Sequence, residues 1–298
     1  MSLGRAVVAP SELAGSWTLD PPVVAMLVLA ALAYCRGRAR LGRRIPSAAR
    51  AGRDVAFYAG LLVVGGALMS PLDALSAALF SAHMVQHLLL MVVAAPLLVY
   101  ARPGAALVAG LPPVARQAAR ALRGDFWRGA ARVAVNPVVV WTVGALAVWA
   151  WHMPTLYDAA LRHDALHAAE HASFLGAAML FWAVVLRSGG PRRLPRPVAA
   201  LLVLATGVQS SALGAVLLFA SNPLYPAHRV GALVWKVSPL GDQQLAGALM
   251  WGPPWLLYVA VMWWLLFRWF EDMDDAWPAT FTAAANPVWP EPTGARRP

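Results

Sequence analysis

Long uninterrupted apolar runs dominate the chain, rather than the alternation of an amphipathic strand or helix. Seven stand out, at residues 22–35, 55–70, 76–100, 137–152, 165–186, 198–220 and 243–267. The third, fifth, sixth and seventh reach the ~20 residues that a helix needs to cross the hydrocarbon layer of a bilayer. The first, second and fourth are shorter, and flanking arginines extend them by laying their stems along apolar surface while their charged heads stay in water. Pro21, Pro71, Pro137, Pro197 and Pro253 stand near the run boundaries, where a residue without an N–H starts, stops or kinks a helix. The pattern predicts an all-α polytopic membrane protein with seven transmembrane helices. Its divisions are an external N-terminal segment 1–21, a seven-helix membrane domain 22–268 and a flexible tail 269–298, Pro-rich beyond 277.

Composition supports the membrane class. Of 298 residues 60% are hydrophobic and only 13% charged, about half the charged share of an ordinary soluble domain. One soluble core could not hide so much Leu, Val, Ala and Trp. The formal net charge of +10 raises nucleic acid as a partner. The basic residues, however, sit between apolar runs and lack the aromatic interleaving of a binding groove, so no nucleic-acid role is expected. Segments 36–53, 101–136, 187–197 and the stretch from 268 hold 20 of the 24 basic residues, and the alternate segments hold the other 4. The positive-inside rule then puts the N-terminus outside and the C-terminus in the cytoplasm. The expected location is a bacterial inner (plasma) membrane, crossed several times. Arginines mostly follow the first run rather than precede it, which argues against a cleaved secretory signal. Cys35 is the only cysteine, so a disulfide or a Cys-rich metal site within one chain is excluded, and bulky Tyr34 before it argues against a lipoprotein.

With that topology all seven histidines fall in the outer leaflet or beyond it. His83 and His87 are four residues apart, as are His167 and His171, so each pair shares a helical face one turn apart. That spacing lets one helix offer two imidazoles to a single metal ion, and ionisable groups at membrane depth mark sites by default. His152 closes the fourth run at the same surface. His163 and His228 fall in loops and are expected to be ordinary polar residues. Asp158, Asp164, Glu170 and Asp242 are candidate acceptors that orient the imidazoles, with helix capping as the other role for Asp242. No catalytic residue is assigned.

The residues alone leave three readings open: copper, zinc and haem. Imidazole suits all three metals, and thioethers select copper(I). Met69, Met84, Met91 and Met153 lie on or near the outer half, with Met84 and Met153 as possible soft ligands. Each taken singly also fits plain gap-filling. Zinc catalysis needs an open position and a general base, which Glu170 or Asp158 would supply in a seven-helix zinc-dependent membrane hydrolase. Haem held by two histidines is compatible with the pairs, although no Cys-x-x-Cys-His motif is present. Gln209-Ser210-Ser211 is expected to hydrogen-bond between helices. Most of the 14 Trp fit interfacial belts, and the acidic run Glu271-Asp272-Met273-Asp274-Asp275 reads as a solvated tail.

The motifs Ser81-Ala82-His83-Met84-Val85-Gln86-His87-Leu88-Leu89, Trp151-His152-Met153-Pro154-Thr155-Leu156-Tyr157 and Leu166-His167 to His171-Ala172-Ser173-Phe174 resemble the CtaG-type cytochrome c oxidase assembly factor family. Asn222-Pro223-Leu224-Tyr225-Pro226 and Asp242-Gln243-Gln244-Leu245-Ala246-Gly247 do so too. The resemblance runs from about residue 55 to 268. It implies an inner-membrane protein without enzymatic turnover that helps copper reach the catalytic subunit of a haem–copper oxidase, receiving it from an extracytoplasmic donor. By motif, His83, His87, His152, His167 and His171 become the copper ligands.

Overall fold

The computed structural model describes residues 7–41, 47–121, 124, 129, 133–189 and 193–276. Among these no strand occurs, and the order is α1 Pro21–Leu41, α2 Ser47–Met69, α3 Pro71–Ala78, α4 Phe80–Leu88, a π-helical turn Leu89–Ala94 and α5 Ala95–Ala101. There follow α6 Gly104–Gly110, α7 Pro113–Ala121, α8 Pro137–Trp151, α9 Pro154–Arg162, α10 Asp164–Val185, α11 Arg196–Phe219, α12 Arg229–Val234 and α13 Pro239–Ala276.

Among the described residues, six helical stretches are long and apolar enough to cross a membrane. The bent pair α8 and α9, which meet at 75°, adds a seventh if it is one span. Burial is distributed as a bilayer demands. Leu62, Leu146, Leu201, Leu256 and Trp263 are exposed on the outside of the bundle, while polar Asp73, His83, Gln86, Glu170 and Gln243 are buried inside it. The apolar exterior suits lipid, and the polar interior must be satisfied within the protein.

Local chemistry sets the boundaries. Asn136 accepts from the amides of Val138 and Val139, ahead of Pro137, whose missing N–H costs nothing at a first helical position. Ser70 caps α3 by accepting from the Leu72 amide. At Leu79 the backbone turns extended (φ −120°, ψ 131°), so the apolar run 76–100 is two helices rather than one. The first two runs are longer than their apolar cores: α1 has 21 residues and carries Arg38 and Arg40 in its last turn, where cations suit the dipole. Close approach of α1 and α6 depends on two glycines. A Cβ on Gly37 would overlap the Ala106 carbonyl oxygen, and one on Gly110 would overlap that of Ala33.

The last helix is a further departure. It runs 38 residues, straight through Pro253 and Pro254, so residues 269–276 are helical rather than a flexible tail. Their acidic side chains are partly tied down: Asp272 pairs with Arg196 at the start of α11, and Glu271 with Arg268. Residues 277–298 of the expected tail lie outside the described residues. Three apolar clusters hold the bundle. One is formed chiefly by α10, α11 and α13, one by α1, α2, α5 and α6, and the third surrounds the histidines with Phe80, Met84, Val148, Tyr157, Phe174 and Tyr225.

Candidate metal centre

The N-terminal turns of α4 and α10 and the C-terminal end of α8 meet at one end of the bundle, bringing histidines from separate helices together. Ring centroids of His83 and His87 are 4.3 Å apart, those of His167 and His171 4.2 Å, His83 and His167 5.5 Å, and His87 and His171 5.3 Å. All four are buried. The i,i+4 spacing puts each pair on one face, and the facing of α4 and α10 does the rest.

Glu170 has a more central place than an orienting acceptor. It lies three residues after His167, on the same helical face, and its side chain is fully buried. Its Oε1 is 3.6 Å from His87 Nε2 and 3.7 Å from His83 Nε2. Ligand atoms of His83, His87 and His171 lie within 4.8 Å of one another, and so do those of His83, His167 and Glu170. Tetrahedral ligands at ~2.1 Å from a metal stand ~3.4 Å from each other. The spacings here run from 3.6 Å up to the 4.8 Å limit, so the ligand atoms must draw together by as much as about 1.4 Å to reach that geometry. Neither Glu170 oxygen nor His87 Nδ1 has a hydrogen-bond partner among the described residues. A carboxylate so placed, among imidazoles and away from water, is costly without a cation. The donor set fits a metal ion.

The other predicted residues divide. His152 is buried beside the group rather than in it: Nδ1 is 2.6 Å from the Val148 carbonyl oxygen, Nε2 is 3.3 Å from Met84 Sδ, and its ring is 6.4 Å from that of His87. Met84 is buried against it, whereas Met153 is 57% exposed, because the chain turns sharply between α8 and α9. Asp164 is exposed in the first turn of α10 and borders a cavity of about 190 Å³ that reaches His167. Asp158 is half-buried and does not join the group. Asp242 does not cap its own helix. Oδ2 accepts from the Phe80 amide at 2.7 Å, and Oδ1 accepts from the Ser81 amide and hydroxyl, so it caps α4 and fixes the helix that bears His83 and His87. His163 is exposed at the start of α10.

His228 is the residue that sequence reasoning undervalued. It is buried, and its Nε2 is 2.6 Å from the Tyr157 hydroxyl, with its ring 6.3 Å from that of His83. Burial pushes its pKa down to about 4, against a smaller upward pull from Asp242. His228 lies just outside the recognised motif Asn222 to Pro226, so only the nearness of that motif could have hinted that this loop packs inward. Tyr225 of that motif donates to the His152 carbonyl oxygen at 2.7 Å. Asp73 and Gln86 form another unforeseen support: Gln86 Nε2 donates to Asp73 Oδ1 at 3.0 Å and to the Ala67 carbonyl at 2.7 Å, tying α4 to α2 and α3. Gln209 accepts from Trp149 Nε1 at 3.0 Å, the expected bond between helices.

The fold and site define a polytopic helical protein with a buried histidine–carboxylate group at one end of its bundle. Residues 32–272 match the family described as cytochrome c oxidase caa3 assembly factor, and the chain belongs to that family. Uncharacterized proteins of Mycobacterium bovis and Mycobacterium tuberculosis are each 27% identical to it over 265 residues, and one of Mycobacterium leprae is 24% identical over 262. Each alignment covers 85% of this chain and 39% of the relative, so the chain spans about two-fifths of the length of these curated relatives. No solved structure matches the chain.

Proposed function

We propose that this chain assists assembly of a haem–copper oxidase by binding copper as cargo at His83, His87, His167, His171 and Glu170. It passes the ion toward the oxidase catalytic subunit by exchange of ligands. The observation that carries this reading is the convergence of four imidazoles and one buried carboxylate from two helices, in a member of an oxidase assembly family. The cavity beside His167 suits entry of the ion from an extracytoplasmic donor. Handover needs ligands that let go, and imidazoles near an open cavity exchange faster than a closed cage. The positive-inside asymmetry supports seven spans in a bacterial plasma membrane, with residues 1–21 and the histidine end outside and the C-terminus in the cytoplasm.

Full-length protein purified in detergent is loaded with copper, washed and analysed for metals. Wild type is expected to retain copper, and the His83→Ala/His87→Ala variant to lose it while still inserting in the membrane. In cells lacking the native gene, the same variant is expected to leave the oxidase short of copper. Equal copper in both proteins overturns the reading. Zinc retained in preference to copper favours the hydrolase instead, since two imidazoles and a carboxylate also make a zinc set.

A further inference from the structure

Next to the histidine–carboxylate group lies a second concentration of ligand atoms, of which it shares only His87. Met84, His87, Met91, His152 and Met250 line a separate cavity of about 30 Å³, enough for one water-sized body. Met84, His87 and Met91 share a face of one span, at i, i+3 and i+7, and Met91 lies in the π-helical turn Leu89–Ala94, a feature frequent at functional sites. His152 comes from the end of α8, and Met250 from α13. Met84 Sδ is 3.3 Å from His152 Nε2, and both side chains are buried. His87 faces both places: Nε2 looks at Glu170, while Nδ1 has no hydrogen-bond partner among the described residues. The rest of the lining is mainly apolar, and no carboxylate belongs to it.

Thioether with imidazole, and no carboxylate, is the donor set of a soft monovalent ion rather than of zinc or another harder divalent cation. We infer that this pocket is a second metal site, taking copper(I) through Met84 Sδ and His152 Nε2, with Met250 and Met91 beside them. His87 borders both sites and so links them. Copper(I) would move from the histidine–carboxylate group to this pocket by giving up Cu–N and Cu–O bonds there for a Cu–S bond to Met84 and a Cu–N bond to His152, with no change of oxidation state. The inference deepens the copper reading above and rests on it for the identity of the ion, but its donors are different, so each is tested separately.

The test uses full-length protein in detergent, on a Cys35→Ser background because Cys35 is an exposed thiol. Silver(I) reports soft sites and cobalt(II) absorption reports the nitrogen–oxygen group. Met84→Leu/Met250→Leu nearly conserves volume. It is expected to bind one equivalent less silver(I) than its parent while keeping the parent's cobalt(II) spectrum, which also certifies its fold. X-ray absorption of the copper(I)-loaded parent is expected to show sulfur scattering that the variant lacks. An unchanged silver stoichiometry, or a parent without sulfur scattering, overturns the second site, and the methionines are then packing residues. Silver binding without cobalt binding leaves the thioether site standing and removes the histidine–carboxylate one.

Discussion

Asp242 offers the sharpest test of how the site is built, because it touches no proposed metal ligand. Its carboxylate takes three hydrogen bonds from the first residues of α4, two from amides and one from the Ser81 hydroxyl. Those amides belong to the orphan donors of a helix start, and here they are buried. In Asp242→Asn one oxygen becomes an amide NH2. The hydroxyl of Ser81 can turn to accept from it, but one backbone N–H then faces a donor. Hydrogen bonds to charged groups are worth ~1.5–3 kcal/mol, so the loss is about 2 kcal/mol, or ~5 °C in Tm for a chain of this size. Ser81→Ala removes the hydroxyl bond alone and costs ~1 kcal/mol. The thermal midpoint of purified protein, followed by tryptophan fluorescence, reads both. A parallel copper titration of Asp242→Asn is expected to show affinity down about tenfold, since His83 and His87 lie within two turns of the loosened end and each 1.4 kcal/mol is tenfold. Wild-type stability together with wild-type affinity in Asp242→Asn would refute the claim that this cap positions the site.

Two further outcomes concern packing and pH. Gly231→Ala would press a Cβ into the Ala78 carbonyl oxygen and is expected to cost 1–3 kcal/mol (the usual range of overpacking, ~1–3), read as a lower Tm; an unchanged Tm removes the close contact between α12 and the end of α3. His228 is held neutral by burial, with its pKa near 4 against 6.5, and Tyr157 and Asp242 face it. Because the unfolded chain binds this proton first, metal-free protein loses stability as pH falls from 6.5 toward 4 and gains nothing from it above 6.5. His228→Asn is expected to flatten that part of the stability profile, and an equally steep profile in the variant would assign the loss to another group.

What the sequence disclosed followed from period and run length. The i,i+4 pairs His83–His87 and His167–His171 required only that their segments be helical, and helices are what long apolar runs in lipid must form. Features set by distant partners stayed hidden. Leu79 carries no turn signal within an unbroken apolar run, yet the helix breaks there, and the amides just beyond it are capped by Asp242. Neighbours in sequence also parted company: His152 is buried while adjacent Met153 is exposed, because a 75° bend separates α8 from α9. Loop residence suggested exposure for His228, but the turn through Tyr225 and Pro226 folds it onto Phe80 and Tyr157. Glu170 was visible at i+3 from His167, and only the facing of α4 and α10 put it between the two pairs.

Charge adds an argument for a monovalent cargo that donor softness alone does not supply. The group offers four neutral imidazoles and one carboxylate, so a copper(I) ion bound by them leaves the pocket neutral. A divalent ion in the same place would leave one net positive charge buried against Tyr157 and Phe174, which pack on the His83 and His87 rings. Net charge in such surroundings costs on the order of several kcal/mol for a single buried ion, even after relaxation. The other buried carboxylates among the described residues are committed elsewhere, Asp242 to the amides of α4 and Asp73 to the Gln86 amide. Imidazole and carboxylate donors bind zinc and copper(II) readily in water; on the copper reading proposed above, the apolar shell would favour the ion whose charge Glu170 cancels. The adjoining thioether pocket, without any carboxylate, would carry the single positive charge of the same ion on softer donors. The exchange from one to the other therefore becomes favourable only if the sulfur bonds, or protonation of the vacated Glu170, compensate the lost ion pair.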